Sequence, residues 1–414
     1  MEILLYSKDL QSILKKIKNA KLLDKADDSS SVLMLDASTN DFKIVSSNSA
    51  FWSMFSIDAS DFVESSKTMS KDLGIKQNGR VFIHGETFIE LISSYPEESI
   101  LHFQLRPSKG KTKGECLAVS YSSTKKRTGT SEFALSKVKY FNEEPFEEKR
   151  KKIKVSGERF IIAAQAVCFA TNIQNIEEAD RNLFGCRIEI FKEDITATTT
   201  NKKRICYHGK DYNDKSPDIV LDPISGILDP ILSNLKKEED VELNIGSKTI
   251  ILTQKNQQYV IPNIANSKNY PNCRTIISKV QSKSMVVLAF VQKELMATLK
   301  PIVSTAGKAY GMKIDLDTEA GVICFSAQKM EENGMVKAFH EETLSLDASN
   351  INLKTGEHVK VSVVVNIEFF KDIFGRFKAS EMVSVCFGNA DTPLYFESQD
   401  GMLKYVLCLL DPIK

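Results

Sequence analysis

Residues 361–387 read VSVVVNIEFFKDIFGRFKASEMVSVCF. The apolar run VSVVV predicts a strand, and Phe369, Phe370, Ile373, Phe374 and Phe377 recur behind it at helical spacing. A charged turn and a second apolar run, MVSVCF, complete a unit of strand, polar turn, amphipathic helix, charged turn and returning strand. The same grammar stands at 81–105, VFIHGETFIELISSYPEESILHFQL, and at 218–245, DIVLDPISGILDPILSNLKKEEDVELNI. A further strand follows each copy: ECLAVSYS at 115–122, KTIILTQ at 248–254 and TPLYFES at 392–398. Copies spaced by roughly 140 residues are too far apart for a solenoid unit and suit repeated whole domains.

A second element precedes each copy. MEILLYSKDLQSILKKIKNA (1–20), IKVSGERFIIAAQAVCFATN (153–172) and VVLAFVQKELMATLKPIVSTA (286–306) each run a strand into a helix, with Pro301 expected to end or kink the last. Strand pairs lie between the two elements, SVLMLDAS with FKIVSSN and CRIEIF with ITATTT. Each unit is thus two βαβ-type halves in tandem, and three units fill an α+β chain. EEPFEEKRKKI (143–153) and TIISKVQSKSM (275–285) read as linkers, which puts the domains at 1–148, 149–280 and 281–414. KGKTKG (109–114) reads as a basic, solvated hairpin tip.

Composition bounds the function. With 414 residues, 42% apolar and 26% charged, the chain has an ordinary globular balance and several domains. Its 55 Lys+Arg against 54 Asp+Glu leave a net charge of +1, so any contact with nucleic acid is expected to be local and weak. The eight cysteines form no CxxC pair and mostly sit in apolar runs as small hydrophobes, so they are expected to be reduced and the setting cytoplasmic, in a bacterial cell or an infected host. MEILLYSKDLQ lacks the features of a signal peptide, and no apolar run approaches the ~18–20 residues of a membrane span. His84, His102, His208, His340 and His358 stand at no metal-ligand spacing, no hydrolase or phosphate-loop signature occurs, and the acidic stretches 24–28 and 210–218 lack EF-hand spacing. No catalytic residue, metal or cofactor is expected.

The helices carry one basic face each. Leu10, Ile13, Leu14 and Ile17 form a stripe from which Lys8, Lys15 and Lys18 point away; Leu295 and Leu299 oppose Lys293 and Lys300; Lys371, Arg376 and Lys378 flank the phenylalanine stripe. One feature stands apart: a charged chain that runs to YVLCLL (405–410) needs something to cover that strand.

Taken in order, several segments resemble the bacterial beta-type DNA polymerase sliding clamps. Residues 81–105 with SEFALSKV (131–138) resemble the second half of that family's first domain. NLFGCRIEIFKEDITATTTNKKRICYHG (182–209) resembles the stretch leading to a conserved threonine and arginine in the second. NYPNCRTII (269–277) resembles the segment closing that domain, and YVLCLL the terminal strand. The resemblance covers nearly the whole chain through order and spacing. The family's aspartate-glycine-histidine before the arginine is Asn201, Lys202 and Lys203 here, and its methionine-proline-methionine end is Cys408, Leu409 and Leu410. These departures fit a divergent clamp, of phage or plasmid origin, with partner motifs of its own.

The resemblance implies a DNA-clamp fold: a homodimer ring of two three-domain chains, helices lining the hole and sheets outside, threaded on duplex DNA as a processivity factor for a polymerase. DNA-facing residues would be Lys8, Lys15, Lys18, Lys25, Arg181, Lys293, Lys300, Lys371, Arg376 and Lys378. A hydrophobic pocket for short linear motifs of the polymerase and clamp loader would be built from Leu183, Thr200, Arg204, Ile205, Pro271 and Ile276 with Phe396, Val406, Cys408, Leu409 and Leu410. YVLCLL would then be an edge strand of the third domain that ends in half of that pocket. Dimer contacts would come from Phe133 and Leu135 against Ile302 and Val303. The alternative is a monomeric clamp-fold interaction scaffold that does not encircle DNA; loading onto circular DNA, lost on linearisation, separates the two. An enzyme with an unrecognised site is the third reading and requires a deep polar cleft holding a perturbed Cys or His.

Overall fold

A computed structural model describes residues 1–19, 32–47, 52–69, 71–109, 114–123, 126–137, 149–171, 183, 185–192, 194–210, 216–264, 270–306, 311–331 and 335–410. Eight α-helices occur among them: α1 (Ser7–Asn19), α2 (Ala59–Met69), α3 (Gly85–Ser93), α4 (Gly157–Val167), α5 (Ser225–Leu232), α6 (Cys273–Ser282), α7 (Gln292–Ala306) and α8 (Ile367–Phe374). Seven of them, all but α6, follow directly or nearly so on a strand, and six of these, all but α2, are the steps the repeat predicts.

Local chemistry makes these junctions. The strand Lys360–Asn366 ends on Asn366, whose side chain accepts the Phe369 backbone N–H at 3.0 Å and so starts α8 without a loop. In α1 the predicted stripe is the buried face: Leu10, Leu14 and Ile17 are 0% exposed. Asp9 in its first turn and Lys16 and Lys18 in its last complement the helix dipole. Pro301 does not end α7, which runs on to Ala306. The backbone bond lost at the proline is offset by Ile302 and Ala306, both fully buried beyond it.

The described chain falls into two compact units, Met1–Ile161 with Ile227–Ala265, and Ile162–Gly226 with Asn266–Lys414. The first holds a five-stranded sheet, in order Gly74–Gln77, Glu2–Tyr6, Ser99–Pro107, Glu115–Ser123 and Thr128–Ala134. It also holds an eight-stranded sheet, in order Lys151–Val155, Val241–Ile245, Thr249–Gln254, Gln257–Pro262, Trp52–Asp58, Asp41–Ser47, Val32–Ala37 and Gly79–His84. The second unit holds a nine-stranded sheet, in order Ile219–Leu221, Arg187–Ile190, Ile195–Thr200, Arg204–His208, Leu403–Leu407, Leu394–Ser398, Met382–Phe387, Val286–Val291 and Ile351–Leu353. Its other sheet has four strands, Val336–Ser345, Val322–Met330, Gly311–Asp317 and Lys360–Asn366.

A regularity underlies this list. Each repeat supplies two blocks of four strands, with Gly74–Gln77 and Ile351–Leu353 added at an edge of two of them, and the large sheets are two blocks joined side by side, one from each of two successive repeats. In the first unit Gln257–Pro262 pairs with Trp52–Asp58; in the second Leu403–Leu407 pairs with Arg204–His208. These cross-repeat pairings divide the contacts in the middle of the second repeat. The C-terminal strand is therefore not an edge strand, as its position suggested. It lies between Arg204–His208 and Leu394–Ser398, and the first of these, some 200 residues away in sequence, covers its outer side.

Two segments expected as linkers carry structure. Residues 275–285 lie largely in α6. The span 143–153 ends in the strand Lys151–Val155, while 138–148 lies outside the described residues.

Candidate functional site

The region around the second sheet junction gathers most of the predicted pocket. Helix α6 starts where the Asn272 side chain accepts the Thr275 backbone N–H. Its buried side chains, Cys273, Ile277 and Val280, pack on Ile205, Tyr207, Tyr270, Cys386, Tyr395 and Val406. Cross-strand register explains the set: Ile205 stands opposite Val406, and Val406 opposite Tyr395, so all three share one sheet face. Burial pushes the Cys273 thiol up to about 12, leaving a packing group rather than a nucleophile.

The predicted pocket residues split between the two faces of this sheet. Thr200, Ile205 and Val406 lie on the α6 face; Arg204 and Phe396 lie on the other. Arg204 is 4% exposed. Its guanidinium donates to the carbonyls of Ala170 and Phe169, each at 3.3 Å, and to Asp372 Oδ2 at 3.1 Å, and it stacks on Phe169 and Phe369. These contacts bind the strand to the turn after α4 and to α8. Phe396 is 0% exposed and meets Phe370 and Phe374 edge to face. Leu183, Ile205 and Val406 are also buried, so none of these five side chains presents a surface.

The accessible members are on the rim. Thr200 is buried with its hydroxyl donating to the Arg204 carbonyl at 2.9 Å. Asn201 Oδ1 accepts the backbone N–H of Lys203 and Arg204, which holds Lys202 between them at φ +68°. That left-handed position is where the family's glycine would stand. Cys408 donates its N–H to the Lys203 carbonyl at 2.9 Å. The chain then crosses to the four-stranded sheet, where Leu409 bridges Val365 and the Leu410 N–H bonds the Val364 carbonyl at 2.7 Å. Cys408, Leu409 and Leu410 are half-buried, and Ile276 is 38% exposed on α6. Leu409 and Leu410 line a cavity of about 510 Å³ with Val364, Phe339, Lys313 and Asp391; Pro271 lines another, of about 580 Å³, beside the start of α6.

The helix faces differ in charge. Lys8, Lys15 and Lys18 of α1 are exposed, as are Lys293 and Lys300 of α7 and Lys378 beyond α8. Lys371 pairs with Glu368 at 3.3 Å, and Arg376 lies over the Phe169 ring at 4.1 Å. Lys25 and Arg181 lie outside the described residues. Lys16, unremarked in the sequence, is half-buried and donates to Gln257 Oε1 at 3.1 Å; burial and then the nearby Lys236 hold its pKa down. By contrast, α3 carries Glu86 and Glu90 and no base, and α5 carries Asp229 and no base.

Of the four interface candidates, Phe133 packs inward on Phe88 and Ile302 is fully buried, while Leu135 and Val303 are half-buried. The more open surface is one the sequence reading passed over. Val336–Ser345 forms the edge of the four-stranded sheet, where Met335, Val336 and Phe339 are 65%, 54% and 60% exposed.

Among the described residues no three His, Cys, Asp or Glu side chains converge as a metal site. Single histidine–carboxylate pairs do occur, His102 with Glu2 at 2.8 Å and His340 with Glu342 at 2.9 Å.

No protein-family model matches the chain, and no curated protein sequence does. Solved structures do match over its full length. The DNA polymerase III beta subunit of Thermotoga maritima is 13% identical with a TM-score of 0.77, covering 100% of both chains. That of Borrelia burgdorferi, in complex with a natural product, is 12% identical with a TM-score of 0.78, covering 100% of this chain and 99% of its own. The Helicobacter pylori beta clamp, in complex with 3,4-difluorobenzamide, is 15% identical with a TM-score of 0.74 and 100% coverage of both. This chain thus has the fold of the bacterial DNA polymerase III beta-subunit sliding clamps, carried by a widely diverged sequence.

Proposed function

We propose that the chain is a non-enzymatic processivity clamp, closing head to tail with a second copy around duplex DNA and holding a polymerase through a groove beside α6. One observation carries the ring. Among the described residues two blocks have no neighbouring block, and Thr128–Ala134 in the first repeat and Val336–Ser345 in the third are the edge strands left at that position. They are the positional equivalents of the strands that join at the two internal junctions, the last strand of one block and the third-drawn strand of the other. Joining them between two copies completes the pattern and removes both edges, including the exposed Phe339 and Val336. The three repeats at 1–148, 149–280 and 281–414 then alternate around a closed ring of two chains.

The DNA contact falls mainly on α1, with Lys8, Lys15 and Lys18, supported by Lys293, Lys300, Arg376 and Lys378. A surface with few free cations suits a ring that must slide, since every neutralised phosphate adds affinity. Ile276, Pro271, Cys408, Leu409 and Leu410 form the apolar rim for a linear motif of a polymerase or loader, in a cytoplasmic setting, bacterial or phage-infected. The fold of the full-length neighbours and the apolar rim support this reading.

Retention on nicked circular DNA tests it. The loaded protein should be held on the circle and released when the DNA is cut once. Retention that is indifferent to linearisation, or no retention even with a loader present, returns the chain to the monomeric scaffold reading. Ending the chain at Cys408 should abolish polymerase binding and leave the oligomer intact; a truncated chain that aggregates shows Leu409 and Leu410 to be core.

A further inference from the structure

The cavity of about 580 Å³ beside α6 has a character unlike the apolar rim it adjoins. It is lined by Arg187, Arg274 and Lys279, with Glu189 as the one carboxylate among the described residues. Arg274 bonds Glu189 and Thr196 and lies over the rings of Phe191 and Tyr207. Arg187 stacks over Tyr270, whose hydroxyl is fixed by the Thr198 carbonyl at 3.0 Å. The Arg187 Nε is buried and makes no hydrogen bond; Glu189 Oε1 is 3.8 Å away, too far for one. Both guanidinium groups thus lie over aromatic rings, and that of Arg187 keeps an unused donor. Lys279 stands exposed at the mouth. Among the described lining residues three cations face one carboxylate, in a chain of net charge +1.

We infer that this cavity receives the carboxylate side chain of an acidic residue that flanks the apolar part of the partner's motif. The inference rests on the reading that the rim takes such a motif. The cavity shares Pro271 with that rim, and Thr275, the neighbour of Ile276, lines it as well. A carboxylate fits the fork of a stacked guanidinium better than a neutral amide does, and the preordered rings spare the entropy of arranging it. Specificity would then come from two sources: apolar anchors on the rim and one acidic residue in the cavity. A partner without the acid would leave the Arg187 Nε without an acceptor.

The test uses the full-length protein and peptides of fixed composition. Acetyl-Glu-Glu-Glu-amide should shift the arginine Nε–H resonances saturably, and acetyl-Gln-Gln-Gln-amide should not. Lys279→Gln, at an exposed position that leaves the fold alone, should weaken the response; Arg187→Gln should weaken it more. Adding three glutamates to acetyl-Leu-Phe-Leu-amide should tighten its binding roughly tenfold over the glutamine version, and Arg187→Gln should remove that gain. No shift with the acidic peptide, an equal shift with the neutral one, or a gain that survives Arg187→Gln overturns the inference, whatever becomes of the rim. The rim reading fails separately, if the apolar peptide binds the native chain and the chain ended at Cys408 equally well.

Discussion

The two sheet junctions are built alike and finished differently. At the first, Trp52–Asp58 pairs with Gln257–Pro262, and Trp52, Met34, Val45, Ile251 and Val260 form a buried cluster with Met54 and Phe82 at its margin. No described helix belongs to that cluster. At the second, Arg204–His208 pairs with Leu403–Leu407, and α6 lies over the same kind of cluster. The chain end continues past this junction, and a cationic cavity opens beside it. Joining two blocks needs only complementary strands and an apolar face; among the described residues the helix and tail at the second junction go beyond that need. The first junction should answer only to stability, the second to stability and binding together.

A matched pair of core truncations gives the largest effects. Trp52→Ala should cost about 3–5 kcal/mol in urea unfolding and leave apolar-peptide affinity unchanged, and Ile277→Ala should cost about 2–5 kcal/mol and weaken that affinity as well. Equal loss of binding in both would break the comparison. Arg204→Leu removes the donor of two carbonyls and Asp372, so about 2–4 kcal/mol should go, whereas Asp372→Asn, at a half-open carboxylate, should cost under about 1 kcal/mol. If Arg204→Leu instead leaves stability intact and abolishes peptide binding, the arginine belongs to the groove after all. Lys202→Gly relieves a left-handed backbone and should gain about 1 kcal/mol by the same assay.

The smallest effect is a pH dependence. His208, buried in the junction strand, has its pKa lowered by burial, against weaker opposing pulls from Asp400 and Asp194. Its folded form resists the proton more than its unfolded form does. The stability it contributes is present above the ordinary histidine value of 6.5 and fades as pH falls below it. His208→Gln should flatten the stability curve in that range; a curve unchanged by the substitution would place the dependence elsewhere.

Much of the fold was legible. Six strand–helix steps announced themselves because each pairs a short apolar strand with a stripe of period 3.6, as in Leu10, Ile13, Leu14 and Ile17. What pairs with what was not, since the partner of Leu403–Leu407 is some 200 residues away and shares no local signal with it. Helix α6 was taken for a linker because its buried face is only Cys273, Ile277 and Val280, set among Lys279, Gln281 and Lys283. The split of the predicted pocket was partly legible: Arg204 and Ile205 are neighbours in a strand, and neighbours face opposite ways. The rim residues Ile276, Cys408, Leu409 and Leu410 survive that rule because they follow the strands rather than lie within them.

In the proposed ring the free edges at Thr128–Ala134 and Val336–Ser345 belong together between two copies. Light scattering of the purified protein at micromolar concentration, with negative-stain imaging of the same sample, tests it directly. A closed ring at about 93 kDa, twice 46.4 kDa, that falls to single chains on Phe339→Glu, is the result predicted. An open particle at 46.4 kDa, or a dimer untouched by Phe339→Glu, would contradict it.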